Sequence, residues 1–160
     1  VLTLDGMEDE IDNVLNAIGN DSRIGNKALK FGYGFGGPCL PRDNRAFAAY
    51  AKSLGVEYNL GNTTDNFNEA HNKFLLDYMI CKNHKSLPFY FDYVSYKRGT
   101  DILTESQQFK LCRALLDEGY TVYINDNETI LNRVKDTLYD QYYDRVKFGE
   151  PKEEVFKVDI

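Results

Sequence analysis

The stretch Gly32-Tyr33-Gly34-Phe35-Gly36-Gly37-Pro38-Cys39-Leu40-Pro41-Arg42-Asp43 holds the residue types and spacing that could do chemistry. Its glycines let the backbone visit left-handed conformations and approach a ligand closely. A cysteine follows at once, and Pro41 suits a first helical turn. Behind it Phe47, Tyr50, Ala51 and Leu54 recur at helical spacing, which predicts a helix over about 41–54 that buries them and ends at Gly55. Cys39 is therefore expected between a glycine loop and a helix N-terminus. Backbone N–H groups and the helix dipole there favour anions, a thiolate among them. Asp43 falls in the first turn, near the same mouth. Loop, thiol and carboxylate together point to covalent catalysis. A cysteine between prolines is also a small buried apolar residue, and the residue types alone leave both readings open.

The whole composition narrows the classes. A net charge of -6 removes broad nucleic-acid binding, because phosphate contacts need a basic face. The length of 160 residues suits one domain or two small ones. No apolar run reaches membrane-spanning length, so no membrane partner is expected. The opening Val1-Leu2-Thr3-Leu4-Asp5 lacks the basic segment of a signal peptide, and the absence of a starting Met suggests a fragment or a processed product. Cys39, Cys81 and Cys112 form no CxxC pair and have no usual metal spacing with His71 or His84, so no metal is expected. A reducing, cytoplasmic compartment is the simplest account of three unpaired thiols.

The elements that must position the loop follow from periodicity. Ile11, Val14, Leu15 and Ile18 predict a helix over residues 8–18, ended by Gly19. Residues 21–26 read as a turn that carries Arg23, a single cation before the loop; a solvated arginine is the plainer reading. Gly32, Gly34 and Gly37 formally match a dinucleotide-binding G-x-G-x-x-G. The match is set aside because Pro38 and Pro41 push the helix start beyond the glycines, and residues 26–30 make no convincing buried strand. A loop around residues 59–62 leads to a second helix, with Phe67, Ala70, His71, Phe74, Leu75, Tyr78 and Met79 as its apolar stripe. Residues 87–96 then read as a strand, about 105–118 as a helix, 120–124 as a strand, about 128–138 as a helix and 155–160 as a short final strand. This β-α-β-α alternation implies a parallel sheet. Lys97, at the carboxyl end of the first strand, could meet a phosphate or stand solvated.

Residues 34–43 resemble the active-site signature of the UDP-glucose/GDP-mannose dehydrogenase family, and the run Ala17–Lys27 and the spacing from Arg23 to Cys39 are similar to that family too. Ser95-Tyr96-Lys97 with Thr100 and Glu105-Ser106 resembles the entry to its UDP-binding domain, and residues 115–120 fit the next helix and strand. The resemblance implies an α/β fold with two parts. Residues 1–85 would be the end of a central helical, dimerising segment, and 86–160 a small Rossmann-like UDP-sugar-binding domain. It implies oxidation of a nucleotide-sugar primary alcohol to the acid with NAD, through a thiohemiacetal and a thioester on Cys39. Asp43 would help position the hydrolytic water. Arg23, Lys30, Gly34, Phe35, Gly36, Gly37 and Lys97 would contact the UDP-sugar, Arg23 that of the partner in a homodimer. The family's N-terminal NAD-binding domain has no counterpart here, so the chain is expected to be a C-terminal portion, inactive in turnover by itself. Pro38, Tyr93, Thr104 and Gln107 depart from the family's pattern and leave the sugar open. A non-catalytic nucleotide-sugar-binding or assembly module of the same fold is the alternative.

Overall fold

The computed structural model describes residues 2–57 and 59–160; Val1, where the sequence-defined helical segment begins, lies outside them. The chain forms two compact units, one running up to Gly32 together with Ile160, the other Tyr33–Asp159. In the first, a 3-10 turn (Glu8–Glu10) leads into α1 (Ile11–Gly19). Ile11, Val14 and Leu15 are half-buried, while Ile18 is exposed. The Asn26 side chain fills the space beside Gly19.

The second unit opens with the glycine run and α2 (Leu40–Ser53). Asn59 then caps α3 (Leu60–Lys82) by accepting from the Asn62 amide (3.2 Å). Residues 60–62, expected as loop, are therefore the first turn of that helix. Its contact with α2 uses small and amide side chains. Gly61 sits against the Asn44 carbonyl and Ala48, Asn44 Nδ2 donates to the Gly61 carbonyl (2.7 Å), and Asn59 Nδ2 donates to the Ala48 carbonyl (2.6 Å). Pro41 and Ala48 are the buried residues of α2. Phe47, Tyr50 and Leu54, expected inside, are 62–65% exposed. Close helix approach at Gly61 selected the face with the smallest side chains rather than the most apolar ones. On α3 the buried face carries Asn68, Asn72, Leu75 and Met79. Phe67 is exposed, and His71, Phe74 and Tyr78 stack along another side at centroid spacings of 5.9 Å.

The sheet follows. β1 (Phe89–Phe91), β2 (Val122–Ile124), β3 (Val146–Phe148) and β4 (Phe156–Lys157) pair in parallel in the order β3-β2-β1-β4. Phe89 lies opposite Val122 and Phe156, and Val122 opposite Val146. The first strand is much shorter than the expected 87–96, and β3 was not foreseen. Between the strands lie α4 (Gln107–Asp117) and α5 (Glu128–Tyr142), the latter longer than periodicity suggested. Ser106 and Asn127 cap them by accepting from the Phe109 and Ile130 amides. The core is Phe89, Phe91, Val122 and Ile124 of the sheet with Leu111, Cys112, Leu115 and Leu116 of α4 and Ile130, Val134 and Leu138 of α5. Each such side chain contributes about 1.5–3 kcal/mol on burial. The other sheet face carries Tyr90, Tyr123 and Lys147 in register. There Tyr90 Oη donates to Glu150 (2.8 Å) and Tyr123 Oη to Glu153. Among the described residues no helix is long and apolar enough to cross a membrane.

Candidate active site

Cys39 is the N-cap residue of α2 and its thiol is exposed. Two turn-forming residues, Gly37 and Pro38, deliver the chain to it. The Asp43 amide donates to the Cys39 carbonyl (2.8 Å), so the carboxylate stands one helical turn beyond the thiol. Asp43 accepts from Arg42 Nε at 2.8 Å, and both side chains are largely exposed. Asp43 and Cys39 together hold the Arg42 guanidinium even more firmly protonated than usual. The site thus offers an accessible thiol, a carboxylate and a cation on one helical turn, ahead of which helix amides point outward.

The glycine run is held by its own chain. A Cβ on Gly34 would meet Asn68 Oδ1, on Gly36 the Glu105 carbonyl (2.4 Å), and on Gly37, at φ +83°, the Tyr96 ring (2.6 Å). Asn68 Nδ2 donates to the Phe35 carbonyl (2.8 Å) and the Gly37 amide donates to the Glu105 carbonyl (3.2 Å). Gly34, Phe35, Gly36 and Gly37 therefore sit together beside Cys39. Sequence reasoning missed their supports, Asn68, Tyr96 and Glu105, as functional residues. A signal was present: Tyr96 and Glu105 lie inside the stretches that carry the family resemblance. Because α2 opens only at Leu40, after the last of these glycines, and among the described residues no strand leads into them, the run does not form the dinucleotide-binding turn.

Lys97 lies on the exposed loop that follows β1. Asp126, after β2, pins that loop by accepting from the Val94 and Ser95 amides (2.9 and 2.8 Å). Asn127 Nδ2 donates to the Thr100 carbonyl (3.2 Å), and the Lys97 carbonyl accepts from Thr100 Oγ1 (2.7 Å). Next to it Arg98 pairs with Asp92 (2.7 Å) and stacks over the Tyr93 ring at 4.4 Å. Tyr93 Oη accepts from Gln108 Nε2 (3.1 Å), so one departure from the family pattern, Tyr93, lies directly under this cation. Tyr33 is half-buried, and desolvation of its hydroxyl, then the nearby Tyr93, Asp92 and Asp159, push that hydroxyl well above the usual tyrosine range. Arg23 and Lys30 belong to the first unit. Arg23 is exposed and forks onto Asp21, with Nε to Oδ1 at 2.9 Å and Nη2 to Oδ2 at 2.6 Å. Lys30 is exposed.

With that geometry, known proteins are informative. Residues 3–70 match the sequence profile of the UDP-glucose/GDP-mannose dehydrogenase family, central domain. UDP-glucose 6-dehydrogenase AglM of Haloferax volcanii is 34% identical over 118 residues, covering 68% of this chain and 26% of that protein. GDP-mannose 6-dehydrogenase of Pseudomonas savastanoi is 32% identical over 138 residues, covering 78% of this chain and 31% of that protein. The structure of a UDP-glucose dehydrogenase from Pyrobaculum islandicum aligns with a TM-score of 0.70 at 27% identity, covering 87% of this chain and 32% of that one. The chain spans about a quarter to a third of the length of these relatives. The profile match covers α1, α2 and the start of α3, and the alignments to relatives cover most of the chain, so the chain belongs to the UDP-glucose/GDP-mannose dehydrogenase family.

Proposed function

We propose that this chain is the thiol-bearing, nucleotide-binding portion of an NAD-dependent nucleotide-sugar 6-dehydrogenase that oxidises UDP-glucose or a related UDP-sugar to the uronic acid. The observation that carries the reading is the exposed Cys39 thiol at the α2 N-terminus, behind a pinned glycine run and one turn before Asp43. NAD, held outside the glycine run, would accept the hydride of each of the two oxidations. Cys39 adds its thiolate to the C6 aldehyde carbon, and the carbonyl oxygen takes a proton to give the thiohemiacetal. After the second oxidation Cys39 carries a thioester. Water attacks its acyl carbon, the C–S bond breaks, and the thiolate leaves as the carboxylate forms. Asp43 orients that water and receives its proton. Gly34, Phe35, Gly36 and Gly37 hold the sugar, Lys97 meets the nucleotide, Lys30 is a further substrate contact, and Arg23 reaches the substrate of the partner in a homodimer. A reducing cytoplasm keeps such a thiol free.

The exposed apolar residues Phe47 and Tyr50 of α2, Leu54 at its C-cap and Phe67 of α3 support a homodimer formed through these helices. The decisive experiment follows NADH formation from UDP- and GDP-sugars by the native protein and its Cys39→Ser variant. The variant should lose the second oxidation and fall by a factor on the order of a thousand or more. Full turnover by Cys39→Ser would remove Cys39 from the reaction.

A further inference from the structure

We infer that Glu105 is the positioning residue of the Cys39 segment, gripping it on both sides of the thiol. Before the thiol, the Glu105 carbonyl accepts from the Gly37 amide and occupies the space a Cβ on Gly36 would need. After it, the Glu105 carboxylate accepts from Arg45 Nη1 of α2 at 2.7 Å. Arg45 Nε also donates to Asp65 of α3 (2.8 Å), and Lys110 Nζ of α4 lies 2.8 Å from Glu105 Oε2. One residue thus ties the glycine run, α2 and α4 together, with α3 joined through Arg45.

The backbone of Glu105 sharpens the point. It stands at φ +52°, a left-handed conformation that favours glycine. If the turn alone mattered, glycine would serve better; a glutamate there is explained by work for its carboxylate. The consequence is that the thiol segment is located by the loop that precedes α4, which also carries Tyr96 and Lys97. A ligand that rearranges that loop would move Cys39 with it.

The value of this for catalysis rests on the reading of Cys39 as nucleophile, but its test needs no turnover. Iodoacetamide labelling, followed by peptide mass spectrometry, compares Cys39 with Cys81, an exposed thiol on α3, while buried Cys112 reports unfolding. An anchored segment restricts the directions from which the reagent reaches the sulfur. Glu105→Gly keeps the carbonyl and the left-handed backbone and removes the carboxylate. It should raise the Cys39:Cys81 rate ratio at least about threefold with Cys112 unlabelled, and Arg45→Ala should do the same, since both break one linkage. Glu105→Gln, which keeps an oxygen for Arg45, should return the ratio to within that factor of the parent. A ratio that moves less than threefold in Glu105→Gly, or no rescue by Glu105→Gln, overturns the inference. Should Glu105→Gly expose Cys112, Arg45→Ala decides by the same threshold. Either result leaves the covalent role of Cys39 to its own turnover experiment.

Discussion

Two glycines separate close packing from backbone freedom. Gly36 has the Glu105 carbonyl oxygen 2.4 Å from where a Cβ would stand, whereas Gly99, at φ +78°, has nothing within 4 Å. Gly99→Ala should therefore cost only the left-handed penalty, about 1 kcal/mol. Gly36→Ala must displace a backbone group and should cost roughly 2–3 kcal/mol. Urea denaturation of both variants measures the difference; equal losses would mean that the run is not gripped where the geometry puts it. Sequence reasoning found the glycines, the cysteine and the carboxylate, because their spacing is local. On their Cβ side Gly34, Gly36 and Gly37 meet Asn68, Glu105 and Tyr96, partners brought in by tertiary folding that the spacing of the loop itself does not mark.

At the scale of elements, the ion pairs joining α2, α3 and α4 make a pH-dependent junction. The Arg45 guanidinium first, then Lys110, hold the Glu105 carboxyl below its ordinary value of 4.5. A depressed carboxylate gives stability that is complete above the unfolded-state value. That stability is lost as pH falls from about 4.5 through the lower folded value. The denaturation midpoint of the parent should exceed that of Glu105→Gln near pH 7, and the gap should close as pH falls below the ordinary value of 4.5, where the unfolded chain takes up the proton first. A gap constant across that range would show that the charge of Glu105 adds nothing. The helices themselves were largely legible: Pro41, Gly55 and Gly119 mark ends that the structure keeps. Their buried faces were less so. Periodicity chose Phe47, Tyr50 and Leu54 for the core, but α2 meets α3 through Ala48, Asn44 and Gly61, where small size and amide hydrogen bonds outweigh hydrophobicity. Asn59 was read as a loop residue although its capping side chain starts α3.

For the whole molecule, the alternation of strand and helix after residue 86 made the parallel sheet legible. Its extent was not. Only Phe89–Phe91 of the aromatic run 87–96 pairs as strand, because Asp126 draws the Val94 and Ser95 amides out of the ladder into the loop that bears Lys97. Val146–Phe148 escaped notice because it is short and its middle residue is a lysine that pairs with Glu153. The loop and helix so arranged lead to one central claim, that Cys39 becomes covalently acylated by the sugar it oxidises. The most direct measurement is acid quenching of the native protein during turnover with NAD and UDP-glucose, then peptide mapping of the cysteine-containing segments. The account predicts a uronyl adduct on the Cys39 peptide, absent from Cys81 and Cys112 and absent when NAD is omitted. NADH production with Cys39 unmodified at every quench time, and undiminished in Cys39→Ser, would contradict it.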